Sequence, residues 1–399
     1  MRFAVVGDSA REYAIAYRLI SEDHEVAVVP TTSFSSLSDL NRADVLVFDT
    51  AIIAQWLGVG GICIIQDERL VRRGLVDELC ELGVRCVGAT KKVGRVELDK
   101  LYARQIASRV HPSWSPAPIG VASNPSALST LCKSLQRQFI VRSLDGSSHY
   151  TGVSRAGIVP YVPEFAFPVL ADWFVLGQTK TLYFCYQGND ICVLPPVSTS
   201  FSGTLEALVS SSGMWTTCES SEPSNVENEL VEKIACEFAR AFGATSSTIF
   251  AVEIIYKDDK FHFVEFDCRL GNPETSCLVT RLVSPLGDFF NTLSKGEIPV
   301  PQWKDGVTIS AAITTSSYPD RPTVDQLVEP LAVSYWRSCG LRVDLGNYRT
   351  SKGRVTAGPR RVAVISSQAS SVLEATRQIE QIRPEIESAG LALGSNTLD

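Results

Sequence analysis

Phe250-Ala-Val-Glu-Ile-Ile-Tyr-Lys-Asp-Asp-Lys-Phe-His-Phe-Val-Glu-Phe-Asp-Cys-Arg-Leu-Gly-Asn-Pro-Glu274 is the stretch on which the reading of this chain turns. It predicts two apolar strands joined by the polar turn Lys257-Asp-Asp-Lys260, a β-hairpin. Side chains two apart on a strand share a face, so Glu265 and Asp267 point the same way, and Glu253 on the partner strand can face them. Three carboxylates on one face repel one another unless a cation neutralises them. Hard oxygen donors without histidine or cysteine suit Mg²⁺, with Mn²⁺ as a possible substitute, and Mg²⁺ commonly bridges nucleotide phosphates. Arg269, two residues further along, carries a permanent charge able to stabilise a transferring phosphoryl group or an anionic intermediate. The competing reading is a solvated strand face with its acids turned outward, and spacing alone leaves both open.

Towards the amino terminus the pattern changes. Phe3 to Val6 is a β-branched run ending at Gly7, and Ala14, Leu19 and Ile20 sit at helical spacing within Ala10 to Ile20. Strands are expected at Glu25 to Val29, Asp44 to Phe48, Gly61 to Ile65 and Val84 to Val87, with a helix over Leu70 to Leu82 that Gly83 ends. Strands alternating with helices over some ninety residues predict a doubly wound parallel sheet. Val96 to Val110 reads as one amphipathic helix, and the proline-punctuated run His111-Pro-Ser-Trp-Ser-Pro-Ala-Pro118 follows it as a connection. Beyond it, strands are expected at Phe139 to Arg142, Thr181 to Tyr186, Asp190 to Leu194, Val307 to Ile313 and Arg361 to Ile365. Helices are expected at Asn225 to Phe242 and Ser370 to Ile382, with Ser210 to Ser224 a loop. Ile298-Pro-Val-Pro-Gln302 marks a second boundary.

Composition bounds the function. The chain has 399 residues, 45% of them hydrophobic and 20% charged, with a formal net charge of −7. These values exclude coiled-coil, collagen-like and mostly disordered chains, and at roughly 100–200 residues per domain they predict two to four domains. The longest apolar runs, such as Gly58 to Ile65, fall short of the roughly 20 residues that cross a bilayer. Met1 to Gly7 is too short for a signal peptide, so a cytoplasmic protein with no membrane partner is expected. Eleven cysteines without a CxxC pair point to reduced thiols, and four histidines without ligand spacing argue against zinc. The acidic balance, with no basic run, argues against a nucleic-acid partner. Monomer and homodimer both remain open.

Val264-Glu-Phe-Asp-Cys-Arg-Leu-Gly-Asn-Pro-Glu274 resembles the EFNxRxGDPE signature of the glycinamide ribonucleotide synthetases, ATP-grasp ligases of purine synthesis. Gly7-Asp-Ser-Ala-Arg-Glu-Tyr-Ala14 stands where that family has GGGGREHA. Leu75 to Lys91 matches its helix–strand segment ending in GPTK, Glu97-Leu-Asp-Lys100 matches EGSK, and Val307 to Pro319 looks like the start of its carboxy-terminal domain. The resemblance implies an α/β ATP-grasp fold divided into a doubly wound amino-terminal domain (1–95), an ATP-grasp domain (96–300, with a lid over about 115–175) and a carboxy-terminal α+β domain (301–399). It implies ATP and Mg²⁺ as cofactors. Glu265 and Asp267 would hold the metal, joined by Glu253, a position acidic in many other ATP-grasp ligases. Lys100 and Arg142 would contact ATP, Gly146, Ser147 and Ser148 would cover its phosphates, and Arg269 would act on the acyl phosphate. Arg11, Glu12, Glu68, Gly213, Met214, Asn272 and Glu274 would bind the carboxylate (amino acid) and amine substrates.

The departures concern the substrates. The family's KADGxAxGKG loop reads Arg142-Ser-Leu-Asp-Gly-Ser-Ser-His-Tyr-Thr-Gly152 and lacks the loop lysine. Of GPNTGGMGAY only Gly213-Met214 persists, and Asn272 replaces an aspartate. Asp8, Ser9 and Ala10 replace glycines that let a backbone approach a phosphate, and Asp8 would repel an anion there. The expected function is an ATP-dependent carboxylate–amine ligase that passes through an acyl phosphate, diverged towards an amine other than phosphoribosylamine, in specialised metabolism. Two alternatives stand beside it: glycinamide ribonucleotide synthetase itself, and a non-catalytic nucleotide-binding relic.

Overall fold

The computed structural model describes the chain apart from residues 33–34, 112–119, 134, 136–137, 145–150, 155–157, 176, 178, 201–213, 221, 245, 258–259, 316–317, 319–325, 329–331, 352–353, 359 and 395–399. The first 87 residues contain five strands, β1 (Arg2–Val6), β2 (Glu25–Val29), β3 (Ala43–Val45), β4 (Ile62–Ile65) and β5 (Arg85–Val87), in one parallel sheet of order β3-β2-β1-β4-β5. β1 and β4 are continuous apolar runs because helices cover both sheet faces, which leaves no solvent side for alternation. The expected strand Asp44 to Phe48 is shorter and shifted, ending at Val45.

Helix α1 (Ala10–Ser21) opens with a capping box. The Ser9 hydroxyl accepts from the Arg11 amide at 3.3 Å, and the Glu12 carboxylate accepts from the Ser9 amide at 3.0 Å. Gly7, at φ +144°, makes room for this: a Cβ there would lie 2.7 Å from Cγ of Glu12. α2 (Thr50–Leu57) follows, and then the single helix expected over Leu70 to Leu82 is two, α3 (Glu68–Arg73) and α4 (Leu75–Glu81). Gly74 separates them in the left-handed conformation at φ +86°. The helix expected over Val96 to Val110 is likewise two, α5 (Lys91–Leu98) and α6 (Lys100–Val110). Asp99 takes an extended backbone and caps the second by accepting from the Tyr102 amide at 3.0 Å. This break matters, because it puts Lys100 in the first turn of a helix instead of mid-helix.

A four-stranded antiparallel sheet comes next, built from β6 (Gly120–Ala122), β7 (Phe139–Ser143), β8 (Thr151–Ser154) and β9 (Val169–Trp173) in the order β6-β9-β7-β8, with α7 (Pro125–Lys133) against it. The central sheet has ten strands. β10 (Thr179–Gln187), β11 (Asp190–Val193), β12 (Val197–Ser200), β13 (Trp215–Cys218), β14 (Phe250–Lys257) and β15 (Lys260–Asp267) continue into β16 (Val307–Thr315) and then the strands Arg342–Leu345, Ala363–Ala369 and Leu391–Leu393. The sheet therefore runs across residue 300 without interruption, through pairing of β13 with β16. β13 falls where a serine-rich loop is expected. All four of its residues are buried between β12 and β16, so tertiary pairing overrides the polar local composition. The strand expected at Arg361 to Ile365 is displaced to Ala363–Ala369.

The helix Asn225–Phe242 has the expected bounds and lies against this sheet, with the Phe238 ring centroid 4.8 Å from Phe250 and 5.0 Å from Phe266. These rings are the packing that fixes β14 and β15, the strands that carry the acids. All eleven cysteines are free thiols. Among the described residues no helix is long and apolar enough to cross a membrane.

Candidate active site

The β14–β15 ladder pairs Ala251 with Asp267 and Glu253 with Glu265, and then shifts, so that Ile254 pairs with Phe263 and Val264 becomes the extra residue of a bulge. Glu253 and Glu265 are thus directly opposite, the cross-strand relation that brings side chains closest. The Glu265 carboxylate accepts from the Lys100 ammonium at 3.2 Å and lies 3.7 Å from the Arg142 guanidinium. Withdrawal from water opposes its charge, but Lys100 and Arg142 prevail and hold it down at about 2. Glu253 feels Arg142 as well, but withdrawal from water and the charges of Glu265 and Glu274 outweigh it and push Glu253 up to about 8. Two facing carboxylates that resist being charged together form the oxygen donor set a hard divalent ion satisfies, so these residues fit Mg²⁺. Asp267, two residues along the strand, is turned to Arg269 at 3.5 Å and is raised well above the usual carboxylate range by burial and by Glu97, Glu265 and Glu253. Among the described residues no three acidic, histidine or cysteine side chains are spaced to hold a metal ion. Glu253 and Glu265 are the pair that is assembled.

The cations come from two other elements. Arg142 on β7 and Arg104 on α6 share the Asp172 carboxylate of β9, with Arg142 at 3.6 Å, which ties the four-stranded sheet to α6. The Lys100 amide donates to the Leu144 carbonyl at 3.3 Å, anchoring the point where residues 145–150 begin. Gly146, Ser147 and Ser148 lie outside the described residues. Lys100, Arg104, Arg142, Leu170, Phe263 and Glu265 line a small cavity between α6, β9 and β15. Its lining mixes cationic and apolar side chains.

Arg269 is held from three sides. Its Nε donates to Glu97 at 2.9 Å, one Nη donates to Glu68 at 3.1 Å, and the same Nη lies near Asp267. Glu97 also accepts from the Cys268 amide at 3.1 Å and its thiol at 3.0 Å, so it fixes both the guanidinium and the backbone beside it. Sequence reading passed over Glu97, Arg104 and Asp172. The signal for Glu97 lay in its motif with Lys100, whereas nothing in sequence joins Arg104 to Asp172.

The loop after β15 is clamped to α1 and to the segment after β4. Arg11 donates to the Leu270 carbonyl at 2.9 Å, and Gln66 accepts from the Leu270 amide at 2.9 Å. Arg11 is also paired with Glu12 at 2.6 Å. The Asn272 carbonyl accepts from Arg361 of the carboxy-terminal region, and the Tyr183 hydroxyl accepts from the Gly271 amide at 3.0 Å. One Glu274 oxygen accepts from Thr199 at 3.4 Å. The other, like the Asn272 side-chain oxygen, is buried without a hydrogen-bond partner among the described residues. Of the remaining expected site residues, Gly213 lies outside the described residues. Met214 is buried at the entry to β13, its carbonyl accepting from the Ala312 amide at 2.8 Å, a packing position in the central sheet.

No family model matches the chain. Among curated proteins it is 24% identical over 342 residues to the phosphoribosylamine–glycine ligase of Streptococcus pyogenes, covering 80% of each chain. It is 26% identical over 387 residues to the enzyme of that name from Mycobacterium tuberculosis, covering 89% of each. Among solved structures it superposes on the phosphoribosylamine–glycine ligase of Thermotoga maritima with a TM-score of 0.74 at 18% identity, covering 98% of this chain and 97% of that one. It superposes on a biotin carboxylase from Campylobacter jejuni, a complex with β-γ-ATP, with a TM-score of 0.66 at 11% identity, covering 98% and 92%. The chain has the α/β ATP-grasp fold and resembles the phosphoribosylamine–glycine ligases over most of its length.

Proposed function

We propose that the chain is an ATP-dependent carboxylate–amine ligase. It would transfer the γ-phosphoryl group of ATP to a carboxylate, and an amine would then displace phosphate from the acyl phosphate, giving an amide, ADP and phosphate. The observation that carries this reading is the meeting of Glu253 and Glu265 with Lys100 and Arg142 beside a separately braced Arg269. Mg²⁺, when bound by Glu253 and Glu265, supplies charge compensation for the ATP phosphates. Lys100 and Arg142 bind those phosphates. Arg269, a cation at all working pH, faces the negative charge that develops on the reacting acyl group. No nucleophilic side chain is needed, because positioning and charge do the chemistry. In this reading residues 1–95 and 301–399 shape the substrate side, and 96–300, with its lid at about 115–175, holds the nucleotide.

The finer reading is an amino acid joined to an amine other than phosphoribosylamine, in specialised metabolism. The names of the sequence relatives favour a second reading, in which glycine and phosphoribosylamine are the substrates. Hydroxylamine trapping separates them. The chain, ATP, Mg²⁺ and a panel of amino acids are expected to release ADP and yield one hydroxamate detectable by mass spectrometry. Glycine hydroxamate supports the second reading and any other the first, whereas neither ADP nor hydroxamate across the panel leaves a carboxylate outside it or a site that binds nucleotide without turnover, which titration with Mg²⁺ and ATP then addresses. Asp267→Asn is expected to keep turnover within about tenfold of the parent, because Asp267 is turned to Arg269 and its carboxyl already favours the neutral form, which an amide copies in shape. Steady-state ADP release measures this, and a complete loss in a folded variant would show that the Asp267 carboxylate is itself required beside Glu253 and Glu265.

A further inference from the structure

Open parallel sheets bind ligands beyond the carboxyl ends of their strands, where the strand order reverses, here between β1 and β4. Asp8 follows β1, Thr31 follows β2, and Asp67 and Glu68 follow β4, so these residues form that rim. A helix amino terminus and neighbouring backbone amides at such a rim ordinarily receive phosphate. In this chain the donors are already engaged. The Asp8 carboxylate accepts from the Thr31 amide at 2.8 Å, the Thr32 amide at 3.1 Å and the Thr31 hydroxyl, while Glu12 accepts from the Ser9 amide that precedes α1 and the Ser9 hydroxyl accepts from the Arg11 amide. Asp8 is only 4% exposed, and Asn347 fixes it from the far side by donating to its carbonyl at 3.2 Å. The cations of the rim are engaged too: Arg11 pairs with Glu12, and Arg69 pairs with Asp67 and approaches Asp8 at 3.8 Å.

We propose that Asp8 is a specificity-determining residue that acts as a built-in anion at this rim, so that the amine substrate carries no phosphate group there. The proposal rests on the ligase reading above and narrows its amine. A phosphate entering this place would displace a buried carboxylate from three donors and meet its charge at short range. A neutral or positively charged amine meets neither obstacle.

The test is calorimetric titration of the full chain, its nucleotide site first filled with Mg²⁺ and a non-hydrolysable ATP analogue, using phosphoethanolamine and inorganic phosphate as probes. The parent is expected to bind neither probe measurably. Asp8→Gly frees the three donors and is expected to bind both at least tenfold more tightly, and Asp8→Ser, the fallback should glycine unfold the rim, is expected to shift in the same direction. Binding of either probe by the parent overturns the proposal, as does a folded Asp8→Gly and Asp8→Ser pair with no gain. Failure of the ATP analogue to bind in the first step would instead count against the ligase reading, and the phosphate titrations would still judge Asp8.

Discussion

Glu265→Ala is expected to lower ADP formation by about a thousandfold, at the upper end of what one preorganised charge contributes to a transition state, while the fold persists. Glu265 is the one carboxylate that touches Lys100, Arg142 and, across the ladder, Glu253. Its removal leaves Glu253 without its facing carboxylate and frees Lys100 and Arg142 from the position proposed for them beside the phosphates. Folding tolerates the change because the Glu265 side chain is 35% exposed and its strand is held by backbone pairing and the Phe238 ring cluster. Glu253→Gln is the informative companion. Glu253 favours its neutral form, which glutamine copies in shape, so the variant is expected to melt with the parent and yet turn over poorly. Steady-state ADP release and thermal denaturation with and without Mg²⁺ measure both. An alanine variant at Glu265 that keeps more than a tenth of parental turnover would place the metal elsewhere.

The acids were legible in sequence because a hairpin converts a spacing of two into a shared face, a rule that needs no knowledge of the rest of the chain. The facing of Glu253 and Glu265 was legible only as a possibility. It depends on the bulge at Val264, which no residue type announces. The helix Asn225–Phe242 was readable to its ends because Ser224 and Glu227 form a capping box and the apolar stripe is long. β13 was hidden, since its burial comes from strands 15 and 96 residues away in sequence, counted between Trp215 and its partners Ser200 on β12 and Ala311 on β16. Glu97 was hidden for a similar reason. A glutamate on a helix reads as solvated until the loop bearing Cys268 and Arg269 is seen to fold over it. Local rules thus recover the donors, while the residues that brace them belong to long-range contacts, such as Arg104 with Asp172 at a separation of 68 and Glu97 with Arg269 at a separation of 172.

That brace makes the second large effect a matter of stability as well as rate. Arg269→Met is expected to destabilise the folded chain by about 3–5 kcal/mol, the usual cost of stranding a buried charge, and to lower ADP formation by about two to three orders of magnitude. Glu97 is 7% exposed and Arg269 is 18% exposed, so the carboxylate left behind has little water to turn to. Arg269→Lys keeps the charge but reaches fewer of the three carboxylates, because an ammonium is a point donor where the guanidinium is a fork, and an intermediate loss is expected. The double variant Arg269→Met with Glu97→Gln separates the two roles. Glutamine still accepts from the Cys268 amide without stranding a charge, so stability, read from urea midpoints, is expected to return most of the way towards the parent. Turnover is expected to stay low, because the cation proposed to act on the acyl phosphate is still gone. Recovery of ADP release together with stability would reduce Arg269 to a structural residue. A single Arg269→Met variant as stable as the parent would mean that Glu97 finds a partner elsewhere, and that the brace is not what holds the loop from Cys268 to Glu274 over the site.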